Sequence, residues 1–261
     1  MISFSLGKRQ KFILIALILT LILFFIQMIS QDWRYQAVVL LIFLTCFLSI
    51  WSLKDVLTGL EWLVVPVLPT LFSGGLGLFY FFIPGNWWLR SLVVILSGFG
   101  FYVLLLTANI FSVAAIRTIQ LLRSARAVGF LMTLLTLFFL YDVIYAFRPI
   151  YLLNFLLVFF VSFPLLFQAI WTVKLEEKLS SPLLSFTLVL SLLQAEAALI
   201  FSFWPVSVAV RSLALTTAAY VSLGLVQHYL DDRLFSKTLK EYISVGLVVL
   251  LAVIFTTRWS G

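Results

Sequence analysis

The chain alternates long apolar runs with short polar breaks, and the runs are of membrane length. A helix needs about 20 apolar residues to cross the hydrocarbon. Nine runs qualify: Phe12–Ile29, Ala37–Leu53, Leu60–Ile83, Ser91–Val113, Val128–Phe147, Ile150–Val173, Pro182–Trp204, Ser207–His228 and Ile243–Thr257. The last is the shortest; if it lies in the interface instead, eight spans remain. The pattern predicts an all-α, polytopic transmembrane helix bundle. It is read as a single integral membrane domain over residues 1–261, without a sizeable soluble domain.

Lys8, Arg9 and Lys11 ahead of the first run resemble the start of a secretory signal. The run is long, however, and the following Gln27-Met28-Ile29-Ser30-Gln31 offers no small-residue cleavage site. The first run is therefore expected to be a retained span. With nine spans and a cytoplasmic N-terminus, twelve Lys and Arg residues fall on the cytoplasmic side and four outside, with Arg211 within a span. That is the positive-inside bias. Trp33, Trp87, Trp88 and Trp204 fall at expected outer boundaries, where amphipathic rings are favoured. The expected location is a cell membrane of bacterial cytoplasmic type.

Composition agrees with this reading. The chain is 64% hydrophobic and 10% charged, against about 25% charged residues in soluble domains. The net charge of +7 follows from the loops that set topology, so no nucleic-acid partner is expected. Cys46 stands alone within an apolar run and reads as a small buried hydrophobe. One Cys and one His make no metal-ligand cluster, and no cofactor is expected. His228, Asp231 and Asp232 form the sole His–carboxylate group, read as solvated at the cytoplasmic boundary. There is no phosphate-binding glycine loop and no H-E-x-x-H. No catalytic constellation was found, so the chain leans away from an enzyme.

Within the membrane, helices associate through close packing and polar contacts. Thr187, Ser191 and Ala195 in the seventh span, and Ala214, Ala218 and Ser222 in the eighth, each form a stripe of small side chains. Only Trp204-Pro205-Val206 separates these spans. A tight antiparallel hairpin with both stripes in or near the seam is expected. The third span carries Pro66, Pro69, Gly74, Gly75 and Gly77; it reads as a kinked structural helix or as a broken helix at a transport site.

Charged groups inside a span are costly and usually find partners. Glu196 and Arg211 lie at similar depths on either side of the Trp204–Val206 turn, so they are expected to meet across the hairpin, with Gln194 nearby. The pair either fixes helix orientation or gates a path. Asp142, Asn154 and Arg148 form an expected outer-face cluster, with Asp142 bonding Asn154 or pairing with Arg148 or Arg90. Glu61 is expected at an interface, with Lys54 a candidate neighbour. Arg117, Arg123 and Arg126 form the densest basic stretch, which serves topology first and is a candidate contact for anionic lipid headgroups at the cytoplasmic face.

Three functional classes remain: a non-enzymatic membrane subunit or scaffold, a small-solute or ion transporter or channel using polar groups in spans 3, 7 and 8, and a lipid-active membrane enzyme. The sequence favours the first. The expected partners are the bilayer, with anionic lipids at its inner face, and another membrane protein.

Overall fold

The computed structural model describes residues 7–26, 28–83, 86–116 and 120–257. Its helices are α1 (Lys8–Ile26), α2 (Arg34–Leu53), α3 (Glu61–Val64), α4 (Val67–Phe79), α5 (Trp87–Ile116), α6 (Leu122–Ala146), α7 (Tyr151–Lys174), α8 (Ser181–Ser202), α9 (Val208–Leu230) and α10 (Ser236–Thr256). With α3 and α4 taken as one span, nine helical segments among the described residues are long and apolar enough to cross a membrane. The all-α expectation of nine membrane-length helices holds. The chain divides within α6 into two compact units, one up to Met132 and one from Thr133.

In the first unit, α1 packs chiefly on α5 and α2 chiefly on α4. Glycines set these approaches. A Cβ at Gly74 would stand 2.9 Å from Ile42 Cδ1, and one at Gly98 would stand 2.9 Å from Thr20 Oγ1. Gly74 and Gly77 of α4 therefore face α2 side chains, which is a packing role. The interruption in this span lies near its start, at Val65–Pro66. Val65 N–H still donates to the Glu61 carbonyl at 3.0 Å, and Thr70 N–H donates to the Pro66 carbonyl at 3.1 Å. Pro69 falls in the first turn of α4, where a missing N–H costs no intrahelical bond. Glu61 is buried, and its carboxylate accepts from the Thr58 N–H at 3.3 Å and from the Thr58 hydroxyl at 3.2 Å. The Glu61 side chain thus satisfies a backbone donor just ahead of α3.

In the second unit, α8 packs most extensively on α7, less on α9, while α10 packs on α9. Thr187, Ser191 and Ala195 are fully buried on α8, as a small-residue stripe should be. The α9 stripe lies beside the seam, near the contact as expected. The residues that α9 buries include Ser212, Ala214, Leu215, Ala219 and Leu223, and Ala214, Ala218 and Ser222 also line an apolar cavity of about 440 Å3 between α8, α9 and α10. Small size at spacing four thus leaves a gap beside the seam, next to the buried Leu215 and Leu223.

The last helix begins at Ser236, seven residues before the first residue expected from hydropathy, and runs for 21 residues. That is roughly 31 Å, enough to cross. Its end is fixed to the α8–α9 turn: the Trp204 indole N–H donates to the Thr257 hydroxyl at 2.7 Å. Among its described side chains only Val253 is buried. Gly224 of α9 makes room for the Tyr242 ring of α10, which occupies the space a Cβ would need.

Candidate functional site

Two polar features of the second unit stand out: a cavity where helix ends converge, and a carboxylate on an outward helix face. The cavity is about 490 Å3 and is lined by residues of the α6–α7 connection, the start of α7, the α8–α9 turn and the start of α9. Arg148, Asn154 and Arg211 all line it. Sequence reasoning had placed these three in two separate groups, and the fold brings them into one.

Arg211 sits in the first turn of α9. Its Nη2 donates to the Trp204 carbonyl at 2.9 Å, and its guanidinium lies over the Tyr145 ring at 5.7 Å. Its Nε is buried without a partner. Tyr145 is oriented by its own hydroxyl, which donates to the Ala198 carbonyl at 3.0 Å. Asn154 is buried at the start of α7; its Nδ2 donates to Ser202 Oγ at 3.0 Å, while its Oδ1 is buried without a partner. Arg148 is exposed between α6 and α7 with φ 49°. A left-handed residue commonly ends a helix, and Leu175 and Asp232 adopt the same conformation after α7 and α9.

The expected Glu196–Arg211 pair does not form. Glu196 is exposed on α8 and makes no hydrogen bond or ion pair among the described residues. Rise per residue places the two at similar depth, but each residue also turns the helix by about 100°. Gln194 and Ala195 are buried, and Gln194 Nε2 reaches Ser222 Oγ of α9 at 3.4 Å. Two residues on, Glu196 points the other way. On the helical wheel it falls at the middle of the outward face, between Val189, Leu193 and Ile200 on one side and Leu192 and Phe203 on the other, all of them exposed.

The expected outer cluster is also rearranged. Asp142 is buried, and its carboxyl meets the Ser212 hydroxyl rather than Asn154 or Arg148. The reason is again rotation: Asp142 faces α9, whereas Asn154 faces the end of α8. Of the basic stretch, Arg123 and Arg126 lie in the first turns of α6 and not in a loop, and Arg117 lies outside the described residues. Asp231 pairs with Arg233 at 3.3 Å, and the His228 ring packs against Tyr242 with centroids 5.7 Å apart. No group of three or more His, Cys, Asp and Glu residues able to hold a metal ion occurs among the described residues.

The unpaired Asn154 Oδ1 and Arg211 Nε, and the outward azimuth of Glu196, were missed by sequence reasoning. The signal available for Glu196 was the 3.6-residue period of α8, on which it shares a face with Val189, Leu192, Leu193 and Ile200.

Neither a curated protein nor a solved structure matches the chain. A family described as "Protein of unknown function (DUF5656)" matches residues 36–256, from within α2 to the last residue of α10, and the chain belongs to that family.

Proposed function

We propose that the protein is a non-enzymatic, multi-pass membrane subunit that docks through the outward face of α8 onto a partner transmembrane helix carrying a basic residue. The observation behind this reading is Glu196. It lies six residues from the end of α8, roughly 9 Å below it along the axis, in the middle of an apolar face. A carboxylate facing lipid at that depth is expensive, and such residues normally pair or face protein. An Arg or Lys at matching depth on another helix would supply the complement, and the flanking Leu192, Leu193 and Ile200 would supply packing.

A transport role along a path shared by Glu196 and Arg211 is less well supported. Arg211 turns into the cavity at the α8–α9 turn, and Glu196 turns away from α9. In this reading the protein resides in a cell membrane of bacterial cytoplasmic type with its N-terminus inside. Arg123 and Arg126 of α6 then lie at the inner boundary, placed to meet anionic headgroups.

The experiment is energy transfer in nanodiscs between the labelled protein and a Leu-rich transmembrane peptide with one Arg at the depth of Glu196. The Arg peptide should associate more strongly than an all-Leu peptide, and Glu196→Leu should abolish the difference. Equal association of both peptides with the wild-type chain would defeat the proposal.

A further inference from the structure

The cavity at the α6–α7 and α8–α9 connections holds two guanidinium groups, and no carboxylate is among the residues that line it. It also holds a donor and an acceptor with nothing to bond. Arg211 Nε and Asn154 Oδ1 are both buried and unpartnered, although buried polar groups are nearly always satisfied. Arg211 Nη2 and Asn154 Nδ2 do have partners, on Trp204 and Ser202, so both side chains are held in place. Both side chains line the cavity. An anion answers Arg148 and Arg211, since guanidinium groups bind phosphate oxygens with charge-assisted bonds. A hydroxyl on the same molecule answers Asn154 Oδ1. The volume of about 490 Å3 lies within the usual range of ligand sites.

The setting points to the membrane boundary. The cavity lies among helix ends, and its rim includes exposed Tyr151 and Phe203, whose rings stand 5.3 Å apart. Aromatic side chains favour headgroup depth. We propose that this cavity binds a phosphate ester bearing free hydroxyls, the chemistry of a phosphatidylglycerol headgroup and of soluble glycerol phosphate. Arg148 and Arg211 take the phosphate, and Asn154 accepts from a glycerol hydroxyl.

Arg148 allows a clean test. Its left-handed backbone suits glycine, so Arg148→Gly removes a cation while relieving strain. The wild-type protein, Arg148→Gly and Arg211→Gln would be placed in nanodiscs of phosphatidylcholine with and without phosphatidylglycerol, and retained lipid measured by native mass spectrometry. Wild type should retain phosphatidylglycerol over phosphatidylcholine, and each variant should weaken that preference by roughly tenfold or more. In parallel, glycerol 3-phosphate would be titrated into phosphatidylcholine nanodiscs while the thermal midpoint is followed. A rise in wild type that is absent in Arg148→Gly assigns the same site to a soluble ester. A lipid preference that both variants retain in full, or no response in either arm, would overturn the proposal. Arg148→Gly keeps the conclusion independent of folding, because its own thermal midpoint without ligand should not fall.

Discussion

The Trp204 indole N–H donates to the Thr257 hydroxyl across 2.7 Å, and that hydroxyl in turn donates to the Val253 carbonyl at 2.7 Å. One side chain at the α8–α9 turn thus fixes the end of a helix that begins near the opposite end of α9. The bond ties α10 to the rest of its unit at a point where little else of α10 is buried. Thr257→Val should lower stability by ~1 kcal/mol, the net worth of a buried hydrogen bond. It should do so by loosening α10. Chemical unfolding in micelles measures the loss, and hydrogen exchange should place it in the last turns of α10.

The same bond makes a topological prediction. In a Cys46→Ser background, single cysteines placed at Pro205 and at the exposed Thr256 should react with an impermeant thiol reagent added to the same side of the membrane. Labelling of the two positions from opposite sides would mean that α10 does not cross.

Gly224 and Tyr242 form the other attachment of α10. The ring fills the space of a Cβ and lies against Tyr220 with centroids 4.9 Å apart. Gly224→Ala should overpack this contact and cost ~1–3 kcal/mol. The penalty should shrink in the Tyr242→Ala background, because neighbours in contact are not additive. A double-mutant cycle on thermal or chemical unfolding checks this.

Gln194 and Glu196 should respond oppositely to the same substitution. Gln194 is buried and bonded to Ser222, so Gln194→Leu should destabilise the isolated chain by ~1–2 kcal/mol. Glu196→Leu replaces an exposed carboxylate on an apolar face, so it should stabilise the isolated chain in nanodiscs by on the order of 1–3 kcal/mol. A destabilised Glu196→Leu would mean that the carboxylate serves this chain's own fold.

These contrasts show what could be read from the sequence. The spans were legible because lipid demands about 20 apolar residues per crossing, and each run carries its own polar breaks. Depth was legible too, since rise per residue is fixed. Rotation was not. The Glu196–Arg211 and Asp142–Asn154 expectations both placed residues at matching depth and on the wrong face. The start of α10 was hidden because Lys237, Lys240 and Glu241 fall in its first turns, where polar side chains reach out of the hydrocarbon and depress hydropathy without ending the helix. The cavity stripe of Ala214, Ala218 and Ser222 was legible as small residues, but their spacing alone does not distinguish a seam from a gap.

The role of the α8 face is tested most directly by photo-crosslinking in native membranes from Leu192 and Ile200, which flank Glu196, with exposed Leu247 of α10 as the control position. The account predicts a discrete adduct from Leu192 and Ile200, absent from Leu247 and lost in Glu196→Leu, whose crosslinked helix carries an Arg or Lys at the depth of Glu196. No adduct from either position, or one that persists undiminished in Glu196→Leu, would contradict it.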